Sequence, residues 1–333
     1  MVTSAIRAET RRAERRRRVE RRRRRAVATI TATLSACVMI VSGALLASAA
    51  TGNGGEPQAQ GAGTAQTHEL VVPDPTSSPT PEPTADASEA EDAEPFCSDE
   101  VTAAIDTGES EAVVTAAGGG AAFRDAVVSG EADGCIALDH PAWDWVVVNK
   151  HRPIAPENFA PEVTSPATFS PIGAHLAPEA AAALDEMTLA AQNAGVGDIG
   201  LESGYRSYEA QIEAYDAQVL ARGTQDGADE TSARPGFSEH QLGLAADLVA
   251  CEAGVCGSMY EFGDSLQGQW VAENASTYGW IVRYTGTETG TTGYEAEPWH
   301  MRFVGVELAT AYVDGGYETF EDFWGLEAAP DYE

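Results

Sequence analysis

The chain has 333 residues, enough for one or two ordinary domains. Its formal net charge of −32 is unevenly spread: residues 1–50 hold twelve Arg and three Glu, leaving eight basic residues against forty-nine acidic ones after position 50. So acidic a body is repelled by phosphate backbones, which excludes nucleic acid as a partner, and it makes each remaining Arg conspicuous.

Residues 1–25 end in "RRAERRRRVERRRRR" and read as a cytoplasmic basic segment. "AVATITATLSACVMIVSGALLASAA", residues 26–50, carries no charge. At about 1.5 Å per residue that is long enough for a bilayer-spanning helix. The Arg cluster before it orients the N-terminus inward, which predicts a single-pass membrane protein whose catalytic body is extracellular. The alternative is a signal peptide cleaved after "ASA" at 47–49, giving a secreted protein. Residues 51–95, rich in Pro, Thr, Gly and acids, cannot bury enough apolar surface to fold and read as a disordered linker.

Cys97, Cys135, Cys251 and Cys256 form an even set in an oxidising compartment, where disulfides are expected. Three connectivities are open; each of the pairs Cys97–Cys135 and Cys251–Cys256 falls within one local segment, which favours them. No C-x-x-C spacing supports zinc binding by these cysteines. Residues 96–140 read as a small helical unit, with apolar residues at helical spacing in "DEVTAAI" and "GAAFRDAVVSG" and a cysteine near each end.

Residues 141–328 read as an α+β domain. A helix is predicted from Pro178 to Gly195 and a strand at "DIGLESGY". A second helix follows, with Ser207 as its cap and Gly223 as its terminator. "GLAADLVA" alternates as a strand, with Ala245 and Asp247 on one face and Leu244, Ala246 and Leu248 on the other. A third helix is predicted over 265–279, then strands at "WIVRY" and "WHMRFV" and a closing helix at "GVELATAYV".

The chemistry lies in Ser238-x-His240-x-x-Gly243-x-Ala245-x-Asp247, followed by Glu297-x-Trp299-His300. If the chain turns through Gly243 into the strand, His240 and Asp247 face one site and His300 joins from another strand. Two imidazoles and a carboxylate are the three ligands a catalytic zinc uses while keeping a position open for water. Glu297, three residues before His300, is placed to take a proton from that water. Each residue alone has a plain structural explanation: a satisfied core histidine, an Asp paired with an Arg, a surface Glu. The joint spacing does not. Arg206, a planar donor where a strand gives way to a helix, suits a carboxylate or an oxyanion, though it could also balance nearby acids. Gln211 and Ser238 are candidate hydrogen-bond donors to a peptide, with Tyr205 and Trp299 beside them as substrate-binding residues. Arg302 orients a ligand or neutralises Glu297. There is no H-E-x-x-H and no G-x-S-x-G.

"SGYRSYEAQ", "ARPGFSEHQLGLAAD" and "TGYEAEPWHMRFVG" resemble the signature blocks of VanY-like D-alanyl-D-alanine carboxypeptidases, within the zinc metallopeptidase group that includes lysostaphin-type and hedgehog-type folds. The resemblance covers about residues 145–306, and "VNKHRPIAPENF" is similar to the usual lead-in. It implies a small antiparallel sheet carrying a zinc cleft and flanked by helices. It implies His240, Asp247 and His300 as zinc ligands, Glu297 as catalytic base, and Arg206 as the group that holds peptide or oxyanion. The implied substrate is the D-Ala terminus of peptidoglycan stem peptides. An L,D-carboxypeptidase, an endopeptidase, or a non-catalytic wall-binding module built on the same site remain as alternatives.

Overall fold

The computed structural model describes residues 96–286 and 288–332. The basic segment 1–25, the apolar span 26–50 and the linker 51–95 lie outside the described residues. Among those described, no helix is long and apolar enough to cross a membrane.

Three short helices come first: α1 (Asp99–Thr107), α2 (Ser110–Ala116) and α3 (Gly120–Ser129). After an irregular stretch, α4 (Pro178–Asn193) begins at its proline, whose missing N–H would have no helical partner there. β1 (Asp198–Ser203) leads to α5 (Tyr208–Arg222), capped by Ser207, whose Oγ accepts the Ala210 N–H at 3.2 Å. A short α6 (Gln225–Asp229) and a 3-10 turn at Glu239–Leu242 precede β2 (Ala245–Glu252), on which β3 (Val255–Cys256) folds back.

The predicted 265–279 helix is split in two. α7 (Leu266–Asn274) stops where Asn274 Nδ2 donates to the Trp270 carbonyl at 2.7 Å and its backbone leaves helical geometry, and a 3-10 turn covers Ala275–Tyr278. β4 (Trp280–Tyr284), α8 (Thr289–Thr292), β5 (Glu297–Phe303), α9 (Val306–Gly315) and α10 (Phe320–Phe323) complete the chain.

The strands form one antiparallel sheet in the order β1-β2-β5-β4, with β3 added to β2. Register does the important work: Asp247 lies opposite His300 across β2 and β5, and Tyr284 lies opposite Glu297 across β4 and β5. The alternation read from the sequence holds. Leu244, Ala246 and Leu248 enter a core with Leu184, Met187, Leu201 and Met301, which leaves the other face to Asp247.

A second core joins the two ends of the described chain. Val113, Phe123 and Trp145 pack with Ile281, Val304, Leu308, Phe320 and Phe323. Each large apolar side chain so buried contributes about 1.5–3 kcal/mol. Residues 96–140 therefore share a core with residues 304–326. The disulfides are Cys97–Cys135, which ties α1 to the segment after α3, and Cys251–Cys256, which closes the β2–β3 hairpin.

Candidate metal centre and cleft

His240 sits on the 3-10 turn, and Gly243 ends that turn with φ 71, a left-handed conformation that favours glycine. A Cβ there would also stand 3.0 Å from the Ala177 nitrogen. The chain can thus turn straight into β2 and deliver Asp247 four residues later. His300 arrives on the neighbouring strand, directly opposite. One ligand atom from each of His240, Asp247 and His300 lies within 4.8 Å of the others, and all three residues are buried.

Each imidazole is oriented by its far nitrogen. His240 Nδ1 lies 2.7 Å from the Gly204 carbonyl oxygen, which can only accept, so Nδ1 carries the proton and Nε2 is free. His300 Nε2 lies 3.2 Å from Glu239 Oε2, so it donates there and Nδ1 faces the site. His240 Nε2 then stands 3.3 Å from Asp247 Oδ2, and His300 Nδ1 stands 3.2 Å from Asp247 Oδ1. Oδ1 is buried without an aligned hydrogen bond.

Burial pushes His300 down, but the carboxylates of Asp247 and Glu239 outweigh it and raise the imidazole to about 10. A divalent cation bound here would displace the proton that His300 then carries. Burial keeps the His240 imidazole below its usual value and hence neutral, with the Asp247 carboxylate opposing. Two imidazole nitrogens, a carboxylate oxygen and an orphaned acceptor are a donor set that zinc fits.

Glu297 opens β5 beside this centre, its Oε2 3.5 Å from His300 Nδ1. Burial raises its carboxyl to about 8; His300 opposes that rise and Asp247 adds to it. The centre opens into a cleft of about 540 Å³ with α5 on one wall and the approach to β5 on the other. Arg206, Gln211, Ser238 and Trp299 all line it. Arg206 is fixed at its backbone, where its N–H donates to the His240 carbonyl at 3.2 Å, while its buried Nε has no partner. Burial lowers its guanidinium pKa, against the charges of Asp247 and Glu297.

Gln211 differs in one respect from the sequence expectation. Its Nε2 already donates to the Ala233 carbonyl at 2.7 Å, and the buried Oε1 is left free, so the group it offers is an acceptor and not a donor. Trp299 stands edge-on to Tyr260 at the cleft, ring centroids 5.0 Å apart. Tyr205 is not among the lining residues; its N–H donates to the His175 carbonyl at 2.6 Å.

Sequence reasoning missed Glu239. Fully buried, it receives Arg283 Nε and Arg302 Nη1 at Oε1, both at 3.0 Å, and His300 at Oε2. Arg302 thus neutralises Glu239, not Glu297, and its other nitrogen binds the Asp144 and Val146 carbonyls at 2.9 Å. One signal was available: a carboxylate inside an apolar segment, in a chain where two of eight late basic residues sit on predicted strands.

Comparison with known proteins follows this geometry. Residues 173–306 match the VanY family, described as D-alanyl-D-alanine carboxypeptidase. The Bacillus subtilis protein YodJ is 41% identical over 147 residues, covering 44% of this chain and 52% of YodJ. VanXYC of Enterococcus gallinarum, a bifunctional D-Ala-D-Ala dipeptidase and D-Ala-D-Ala carboxypeptidase, is 30% identical over 164 residues, covering 48% of this chain and 83% of that enzyme. Among solved structures, the LdcB LD-carboxypeptidase is similar with a TM-score of 0.50 and 35% identity, over 55% of this chain and 86% of its own. The chain therefore spans about half the length of YodJ and most of the other two.

Proposed function

From membership of the VanY-type D-alanyl-D-alanine carboxypeptidase family, to which this chain belongs, we propose that it is a zinc-dependent peptidoglycan carboxypeptidase. It removes the terminal D-Ala of cell-wall stem peptides. The observation that carries the metal is the pair of histidines whose far nitrogens are both engaged, so that Nε2 of His240 and Nδ1 of His300 converge on Asp247.

His240, Asp247 and His300 would hold the zinc, which would supply Lewis acidity and make a water nucleophilic at neutral pH. Glu297 takes the proton that water gives up as its oxygen bonds the peptide carbonyl carbon. As the C–N bond breaks, the same carboxyl hands that proton to the departing amine of D-Ala. Arg206 supplies positive charge for the peptide carboxylate or the developing oxyanion. Gln211 Oε1 accepts a substrate N–H, and Ser238 and Trp299 line the path of the stem. The proposed address is outside the membrane, held by the 26–50 segment or released after cleavage there. Two disulfides support an oxidising compartment.

The likeness to LdcB favours a second reading, cleavage of an L,D bond by the same centre. Purified protein incubated with pentapeptide and tetrapeptide stems separates the two. D-Ala released from the pentapeptide alone supports the first, and release from the tetrapeptide supports the second. No release from either leaves an endopeptidase or a wall-binding role.

A further inference from the structure

The buried acid that orients His300 is held by an arginine that is itself gripped from outside the family-matched stretch. Glu321, on α10, is fully buried and grips Arg283 with both oxygens: Oε2 accepts Nη1 at 2.9 Å and Oε1 accepts Nη2 at 2.7 Å. Asn149 Nδ2 donates to the same Oε1 at 3.1 Å. Glu321 takes the end of the guanidinium, so the Nε edge is left to Glu239 at 3.0 Å. A planar fork held at two points cannot rotate without breaking a bond. Its orientation is passed to Glu239 Oε1, and the other oxygen of that carboxylate takes His300 Nε2.

Charge points the same way. Two carboxylates, Glu239 and Glu321, and two guanidiniums, Arg283 and Arg302, balance in a buried cluster. Without Glu321, Arg283 would have Glu239 as its one remaining carboxylate and would draw it away from the imidazole. Phe320 and Phe323 anchor α10 in the core built with Val113, Phe123 and Trp145, and the polar contacts to Arg283 and Asn149, not either ring alone, set the direction of the Glu321 carboxylate. We propose that Glu321 is a positioning residue for His300, acting through Arg283 and Glu239.

This inference rests on the metal role proposed for His300. Zinc affinity of the full chain, measured by chelator competition, tests it without reference to turnover. Loss of the partner that directly orients a metal-binding histidine typically costs 10–100-fold in metal affinity, and two bonds further out the expected loss in Glu321→Gln is about fivefold. Phe323→Leu is the control: it loosens the same helix, lowers Tm and leaves the polar chain intact, so its zinc affinity should stay within about twofold of the parent. Parental affinity in Glu321→Gln, or an equal loss in Phe323→Leu, overturns the proposal. Should Glu321→Gln not fold, Glu321→Asp carries the same comparison, because it keeps the charge and shortens the reach.

Failure of the metal reading is seen separately, as zinc affinity unchanged by His240→Ala. The inference is then read in the metal-free protein from the His300 Nε2 proton by NMR. That proton should exchange with water faster in Glu321→Gln than in Phe323→Leu, and equal rates overturn it.

Discussion

Glu297→Gln separates catalysis from metal binding with one change of nearly constant size. Glu297 is not among the three residues whose ligand atoms converge, and its oxygen stands 3.5 Å from His300 Nδ1. With its carboxyl raised to about 8, roughly nine-tenths of it is protonated at pH 7 in the metal-free protein, and an amide copies that neutral form. Zinc content at pH 7 should therefore be unchanged, and stem-peptide affinity should be similar. A cation in the centre favours the ionised form and so readies the base. The amide cannot take a proton, and the loss should be about 10²–10⁴ in kcat, equivalent to about 3–5 kcal/mol in the barrier. Zinc by atomic absorption, peptide affinity by calorimetry and D-Ala release are measured on the same two preparations. A kcat within tenfold of the parent refutes the general-base role. Loss of zinc in proportion to activity refutes the placement of Glu297 outside the ligand set.

His240→Ala and His300→Ala should each lose more than 100-fold in zinc affinity, beyond the effect of an orienting residue, and full occupancy in the double variant would sink the site. Zinc binding should release protons. At pH 8 the imidazole of His300, raised to about 10, gives up about one, and Glu297 about half of one. Calorimetry in buffers of different ionisation heat reads that number, and a value near zero contradicts the arrangement. Asp144 gives a stability test. Burial raises its carboxyl from 3.8 to about 7, Glu179 adds to the rise and Arg302 opposes it. The folded chain then keeps a proton that the unfolded chain has lost, so this group's contribution to stability falls as pH climbs from about 4 through 7. Asp144→Asn should gain Tm relative to the parent at pH 8 compared with pH 5, and an equal offset at both rejects the assignment.

The convergence of His240, Asp247 and His300 was legible in the sequence because its geometry is local and periodic. Gly243 marks the turn, the alternation of "GLAADLVA" picks the face of Asp247, and His300 needs only a neighbouring strand. The disulfides were legible for a similar reason, since each joins residues within one short segment. Glu239 was not. Its partners lie 44, 61 and 63 residues away on β4 and β5, and the one local signal, an acid inside an apolar segment, does not say which distant arginines it meets. The four-residue helices α8 and α10 were missed because one turn is too short to show a period. The end of α7 depends on one side chain's choice of carbonyl, which composition does not reveal.

The shared core also bears on exchange of parts among relatives. Ile281 and Val304 lie inside the stretch that matches the family, yet the side chains around them come largely from residues before 150 and after 306. A graft of residues 173–306 into a different scaffold would leave both facing water. At about 1.5–3 kcal/mol each, the pair would cost about 3–6 kcal/mol, comparable to the lower end of the net stability of a typical domain, about 5–15 kcal/mol. The family-matched stretch and its two flanks can therefore be recombined only as one piece, and a crossover placed at the edges of sequence similarity would fall inside the hydrophobic interior.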